Sequence, residues 1–198
     1  MIKTIDQIYY WDDFLSPDEY ENVWAEMEYF KWELAGHAVT AENANPGVPR
    51  KFWYKDLSGA GFTRSLFKIK TELFLNNKII TERIYANGQA HGQSSWVHKD
   101  ITDDVKGEWG TIVYFLHRDW KPLYGGNLFL TDETETKVTN TFFPKTNSAV
   151  LFNSRIKHCG LEPSVYCRDQ RISIAMKFKI KTDSDSEEIL IEPPQEPK

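Results

Sequence analysis

Between Asn76 and Ile79 the apolar pattern of the chain changes period, and this change limits the fold more than any other feature. Before it, apolar residues recur at helical spacing. After it they come in short runs broken by turn formers: Ile79–Ala86, Ser95–Asp100, Thr111–Leu116, Asn127–Thr131, Thr136–Thr141, Ala149–Phe152 and Arg171–Lys181. Asn87-Gly88 and Tyr124-Gly125-Gly126 read as turns between them. Two helices followed by a series of short strands predict a mainly β fold with supporting helices. The expected form is a double-stranded β-helix, or jelly-roll, barrel with its N-terminal helices packed on one sheet.

The helical part opens with a candidate strand, Ile5–Phe14. Ser16 then reads as an N-cap, with Pro17 at the first helical position and Glu19 closing a capping box. Leu15 and Tyr20 are spaced as a hydrophobic staple, and Tyr20, Val23, Trp24 and Met27 follow at helical spacing. A second helix spans Gly61 to Leu75, with Phe62, Leu66, Ile69 and Leu73 as its apolar stripe. Between the helices, Gly36–Leu57 holds Asn43, Asn45, Pro46, Gly47 and Pro49 and reads as irregular. Long irregular segments in compact domains are more often functional than idle. Arg50, Trp53 and Tyr54 are therefore candidate substrate contacts, and Trp96 a candidate support for the entrance.

The 198 residues suffice for one domain, expected over 1–181, with 182–198 an acidic, proline-containing and disordered tail. The formal net charge of −5 argues against general nucleic-acid binding. No apolar run reaches the roughly 18 residues of a membrane span. Two cysteines make no disulfide framework, and no leader pattern opens the chain, so a cytoplasmic location is expected.

The chemistry lies in the strand region. On a strand, His98 and Asp100 share one face because side chains alternate. His158, just beyond the run Ala149–Phe152, is placed to bring a second imidazole from a neighbouring strand. Two histidines and a carboxylate on one face leave open coordination positions, which suits non-heme Fe(II). A zinc hydrolase uses the same ligand types. The run Arg171–Ile180 alternates, with Ile172, Ile174, Met176, Phe178 and Ile180 on one face and Arg171 and Ser173 on the other. An arginine inside a barrel needs an anion, and its planar fork matches a carboxylate.

In order, Tyr85-Ala86-Asn87-Gly88, His98-x-Asp100, Tyr114-Phe115-Leu116, Gly125-Gly126-Asn127-Leu128, Leu151-Phe152-Asn153, His158 and Arg171-Ile172-Ser173 resemble the 2-oxoglutarate- and Fe(II)-dependent dioxygenases, in particular their prolyl-4-hydroxylase-like branch. Asp12-Asp13-Phe14-Leu15-Ser16 resembles the family's N-terminal support. The resemblance implies that His98, Asp100 and His158 hold Fe(II) and are the catalytic centre. It implies that Arg171, Ser173 and Tyr85 bind 2-oxoglutarate, with Leu128 walling its pocket. It implies hydroxylation of a protein, peptide or small-molecule substrate, a peptidyl proline being one candidate. O2 is consumed, succinate and CO2 are released, and ascorbate is a candidate reductant.

Phe115 stands where some relatives carry a second cosubstrate-binding tyrosine, so that bond is either missing or supplied by Tyr114. Arg168 competes with Arg171 for the anion. Cys159 reads as a small core residue, His91 as supporting or solvent-facing, and His37 and His117 as surface residues. The alternatives are a nucleobase demethylase of the same superfamily, a zinc hydrolase, and a non-catalytic jelly-roll binding module.

Overall fold

The first helix, α1 (Pro17–Tyr29), is set by its cap and follows the strand β1 (Tyr9–Trp11). In the computed structural model, which describes residues 5–36, 51–182 and 185, Ser16 Oγ accepts the Glu19 N–H at 3.3 Å. The Glu19 carboxylate accepts the Ser16 N–H at 2.8 Å, so two of the orphan donors of the first turn are satisfied. Tyr20, Val23 and Met27 are the buried face of α1. The opening strand is shorter than the apolar pattern of Ile5–Phe14 suggested, because only Tyr9–Trp11 finds a partner strand.

The second helix, α2 (Gly61–Leu75), has the expected ends and the unexpected face. It buries Thr63, Phe67, Thr71 and Leu75 and leaves Phe62, Ile69 and Leu73 exposed. Thr71 is tolerated inside because its hydroxyl is satisfied within the helix, whereas the Thr63 hydroxyl has no hydrogen-bond partner among the described residues. Thr71 Oγ1 donates to the Phe67 carbonyl at 2.7 Å, and the Thr63 N–H donates to the Glu26 carboxylate at 2.7 Å. Complete burial of Phe67 and Leu75 contributes roughly 1.5–3 kcal/mol each.

The remaining strands are β2 (Glu33–Gly36), β3 (Phe52–Asp56), β4 (Ile79–Gln89), β5 (Trp109–Phe115), β6 (Leu128–Thr131), β7 (Val138–Phe142), β8 (Ala149–Asn153), β9 (His158–Gly160) and β10 (Arg171–Ile180). They form two antiparallel sheets, β1-β8-β5-β10-β4-β3-β2 and β7-β6-β9, the two walls of a jelly-roll barrel. Alternation gives each strand of the large sheet two uses. On β5, Ile112 and Tyr114 pack against the helices, while Val113 and Phe115 join Leu128, Leu130, Val150 and Phe152 between the sheets. On β10, Ile174, Met176, Phe178 and Ile180 face the helices, as their spacing predicts.

Three expectations are corrected. Asn87-Gly88 is not a turn but the interior of β4, where Gly88 is needed because a Cβ would meet the Trp32 ring at 3.2 Å and Gln170 Oε1 at 2.9 Å. Trp53 and Tyr54 lie on β3, paired with Gly88 and Asn87, and not on an irregular segment. Residues 95–100 form no continuous strand; a single bridge joins His98 to His158. Arg50, His37 and most of the residues 182–198 lie outside the described residues.

Candidate metal centre and its pocket

His98 and His158 exchange both backbone hydrogen bonds, each 3.0 Å long, so the two imidazoles start from directly opposed positions. Two further bonds to the turn and strand around His158 pin the segment, from Ser95 N–H to Gly160 O at 3.1 Å and from Asp100 N–H to Ser154 O at 2.9 Å. Asp100 is thereby placed two residues from His98 without a regular strand.

The tautomers follow from the ring contacts. His98 Nδ1 lies 2.9 Å from the Trp96 carbonyl and His158 Nδ1 2.9 Å from the Ile156 carbonyl. A carbonyl only accepts, so both Nδ1 atoms carry the proton and both Nε2 lone pairs are free. They point at Asp100: His98 Nε2 is 3.6 Å from Oδ1 and His158 Nε2 is 3.7 Å from Oδ2. One ligand atom from each of the three residues lies within 4.8 Å of the others, a spacing that could hold a metal ion. Burial, then the neighbouring His98, push the His158 pKa down to about 4, which keeps its imidazole neutral at neutral pH. Burial opposes ionisation of Asp100. The His158 and His98 imidazoles and the Lys177 ammonium outweigh it and hold the carboxyl well below the usual range.

The carboxylate is hydrogen-bonded at one oxygen and ion-paired at the other. Thr111 Oγ1 donates to Oδ2 at 2.6 Å and is itself bonded to Ser154 Oγ at 2.8 Å. Oδ1 is buried and lacks a hydrogen-bond partner of proper geometry, although Lys177 Nζ stands 2.6 Å away. A buried carboxylate beside two free imidazole lone pairs fits a metal cation.

The same cavity, about 320 Å³, continues to Arg171. This arginine is almost completely buried. Its Nε donates to the Gly126 carbonyl, its Nη1 to Gln89 Oε1 at 2.8 Å and, weakly, to Ser173 Oγ at 3.4 Å. The guanidinium lies over the Phe115 ring, 5.2 Å from its centre. Nη2 has no partner. Burial pushes its pKa down to about 10, so at neutral pH it remains a cation. A buried cation with an unpaired donor and no carboxylate beside it requires an anion.

Of the residues singled out in the sequence, His98, Asp100, His158, Arg171, Ser173, Tyr85, Leu128 and Tyr54 line this one cavity. Trp53, the next residue on β3, takes the opposite face, and neither it nor Trp96 lines the cavity. Tyr114 does not stand in for a second tyrosine. It faces the helices and donates to Asn147 Oδ1 at 3.1 Å, because it alternates with Phe115, which turns inward. Arg168 is exposed and leaves the anion position to Arg171. Cys159 is buried, as expected, and His91 is exposed with Nδ1 3.2 Å from the Pro163 carbonyl. His117 was expected at the surface. It is buried, stacked on Trp120 at 4.1 Å, with Nε2 unpartnered. Its burial and the nearby Arg171 push its pKa down to about 3.

Sequence reasoning missed Lys177, Arg83, Thr111 and Gln89, all of which line the cavity. Lys177 was within reach, since the alternation that turns Arg171 and Ser173 inward also turns Lys177 inward.

Residues 83–179 match the family model of the 2OG-Fe(II) oxygenase superfamily. No curated protein matches the sequence. Among solved structures, the chain is similar to a prolyl hydroxylase from Trichoplax adhaerens in complex with a hypoxia inducible factor oxygen degradation domain peptide fragment. The TM-score is 0.66 at 18% identity, over 93% of this chain and 87% of that one. A prolyl-4-hydroxylase from Pseudomonas putida gives a TM-score of 0.57 at 18% identity, over 88% and 93%. The non-heme alpha ketoglutarate dependent epimerase SnoN from nogalamycin biosynthesis gives 0.62 at 12% identity, over 89% and 78%. Likeness at these identities establishes the shared fold.

Proposed function

Since the chain belongs to the 2OG-Fe(II) oxygenase superfamily over residues 83–179, we propose that it is a 2-oxoglutarate-dependent hydroxylase whose Fe(II) is held by His98, Asp100 and His158. Fe(II), 2-oxoglutarate and O2 together supply hydroxylation of a C–H bond with release of succinate and CO2. The observation that carries this reading is one cavity that holds ligand atoms of His98, Asp100 and His158 within 4.8 Å of one another and, at its other end, a buried Arg171 whose Nη2 lacks a partner. A molecule with a metal-chelating end and a distal carboxylate answers both.

The work of the chain's own side chains is positioning. The carbonyls of Trp96 and Ile156 fix the imidazole tautomers, and Thr111 fixes the carboxylate. Arg171, held by Gly126, Gln89 and Ser173, offers Nη2 to the far carboxylate. Tyr85 and Leu128 wall the space between, and the Arg171 guanidinium lies over the Phe115 ring. A zinc hydrolase has no use for Arg171. For the acceptor we favour a prolyl group in a peptide. Two of the similar structures are prolyl hydroxylases, one of them bound to a peptide, and the open face toward β3 presents Tyr54 and Phe52 to a ring of that kind.

Anaerobic protein mixed with Fe(II) and 2-oxoglutarate should show the weak visible metal-to-ligand charge-transfer band. His158→Ala should abolish the band. Arg171→Ala should retain metal binding and weaken 2-oxoglutarate by about 10–100-fold, the worth of a charge-assisted pair. Absence of the band in folded wild-type protein overturns the cofactor assignment, and unchanged 2-oxoglutarate affinity in Arg171→Ala overturns the role of Arg171.

A further inference from the structure

Resting on that reading, we propose that the substrate carries a carboxylate, and that Arg83 and Lys177 at the mouth of the cavity receive it. The two cations are register partners on β4 and β10 and both line the cavity. Both flank one aromatic ring. The Arg83 guanidinium lies 4.4 Å from the centre of Tyr85, and Lys177 Nζ lies 6.0 Å from it. Like charges directly opposite each other across a strand pair destabilise the pair unless an anion lies between them.

The anions already present do not serve. Among the described residues no carboxylate forms an ion pair with Arg83, and Lys177 has only Asp100, whose carboxylate is also the candidate metal ligand. Charge counting sharpens the point. A divalent ion, the Asp100 carboxylate, a dianionic cosubstrate and the Arg171 cation cancel. Arg83 and Lys177 then add two positive charges, and Glu33, the one further acid lining the cavity among the described residues, removes one, so the mouth keeps a net positive charge. The chain as a whole is acidic at −5, so a cationic mouth is a local feature and not a reflection of composition. Arg83 is exposed and Lys177 largely buried, so one cation reaches toward incoming ligand and the other stands beside the metal position. The substrate carboxylate therefore sits close to the carbon that is oxidised, either as a free acid or as an acidic residue adjoining the target residue in a peptide.

The test uses Mn(II)-loaded protein with 2-oxoglutarate, free of O2, and follows binding by calorimetry. One pair of probes is N-acetyl-L-proline and its neutral amide. The other is acetyl-Pro-Glu-amide and acetyl-Pro-Gln-amide. The acid of at least one pair should bind about tenfold tighter than its neutral partner. Preference in the first pair identifies a free acid, and preference in the second an acidic peptide. Arg83→Gln should remove the preference, Arg83→Lys should restore most of it, and 2-oxoglutarate affinity should be unchanged in both. Equal binding within both pairs, no binding of either acid at millimolar concentration, or a preference that survives Arg83→Gln overturns the proposal. Failure of the wild type to bind 2-oxoglutarate is a separate result and counts against the hydroxylase reading instead.

Discussion

Gly126 and Arg171 fit each other through an atom that Gly126 lacks. The Gly126 carbonyl accepts the Arg171 Nε–H, and a Cβ on Gly126 would stand 3.0 Å from Arg171 Cδ. The glycine also has φ +76°, which an L side chain rarely adopts. The buried guanidinium is thus aimed by backbone that can approach closely only because no side chain intervenes.

Gly126→Ala should therefore both strain the loop and displace Arg171. Gly92→Ala is the matched control, with φ +87° and open space around its Cβ. Each should lose about 1–2 kcal/mol of stability, read from urea unfolding. Only Gly126→Ala should also weaken 2-oxoglutarate binding, by about tenfold or more. Equal loss of 2-oxoglutarate affinity in the two variants would sink the link between Gly126 and Arg171.

The opposed backbones of His98 and His158 are joined by main-chain hydrogen bonds that involve neither side chain. His158→Ala should keep the near-ultraviolet circular dichroism of the wild type while losing Mn(II) affinity. The loss should exceed the roughly 10–100-fold expected for a supporting group. Unchanged Mn(II) affinity would remove His158 from the ligand set.

Thr111 is such a supporting group. Thr111→Val keeps the shape and deletes the hydroxyl that donates to Asp100 Oδ2. Mn(II) affinity should fall by about 10–100-fold, and Thr111→Ser should recover most of it. If valine binds the ion as well as threonine does, the carboxylate needs no such support.

His117 gives the pH dependence a definite sign. As pH falls, the unfolded chain takes up the proton at its ordinary value near 6.5, whereas the folded His117 resists until about 3. The stability of the buried neutral ring is complete above about 6.5 and is lost progressively down to about 3. Its slope in that window is up to about 1.4 kcal/mol per pH unit. His117→Phe, which keeps the stacking on Trp120, should flatten the acid limb of the stability curve by that amount. His158, pushed down to about 4, contributes alike to both proteins and cancels in the difference. Parallel acid limbs would show that His117 is not the buried neutral ring described.

The start of α1, both ends of α2 and strands β4–β8 and β10 were legible because they rest on local signals: alternation along Arg171–Ile180, the capping box at Ser16, and a helix stop at Asn76 in the left-handed conformation. The buried face of α2 was not. Hydropathy favours Phe62, Ile69 and Leu73, and nothing in the sequence announces that the Thr71 hydroxyl bonds to the Phe67 carbonyl and so passes as apolar. The His–Asp–His set was found from an assumed strand that is in fact a pinned segment. The set survives because one bridge and its flanking bonds fix the same relative positions. The burial of His117 and the position of Arg83 over Tyr85 depend on partners far along the chain, and single-residue character is silent about those.

Arg171, Ser173, Ala175 and Lys177 share the inward face of one uninterrupted stretch of β10, and the register shift with β4 comes only after Lys177. At about 3.3 Å per residue, the strand spaces its two cations by about 20 Å of backbone. Arg171 stands at one end of this stretch, and Lys177, beside the Asp100 carboxylate, stands at the other. Substitution can change what either end holds, but the length between them is a property of the strand repeat. Changing it takes an inserted or deleted residue, and one such change turns every residue on one side of it to the other face. The separation of Arg171 from Lys177 is thus protected against drift by single substitutions, while the groups at either end stay open to them.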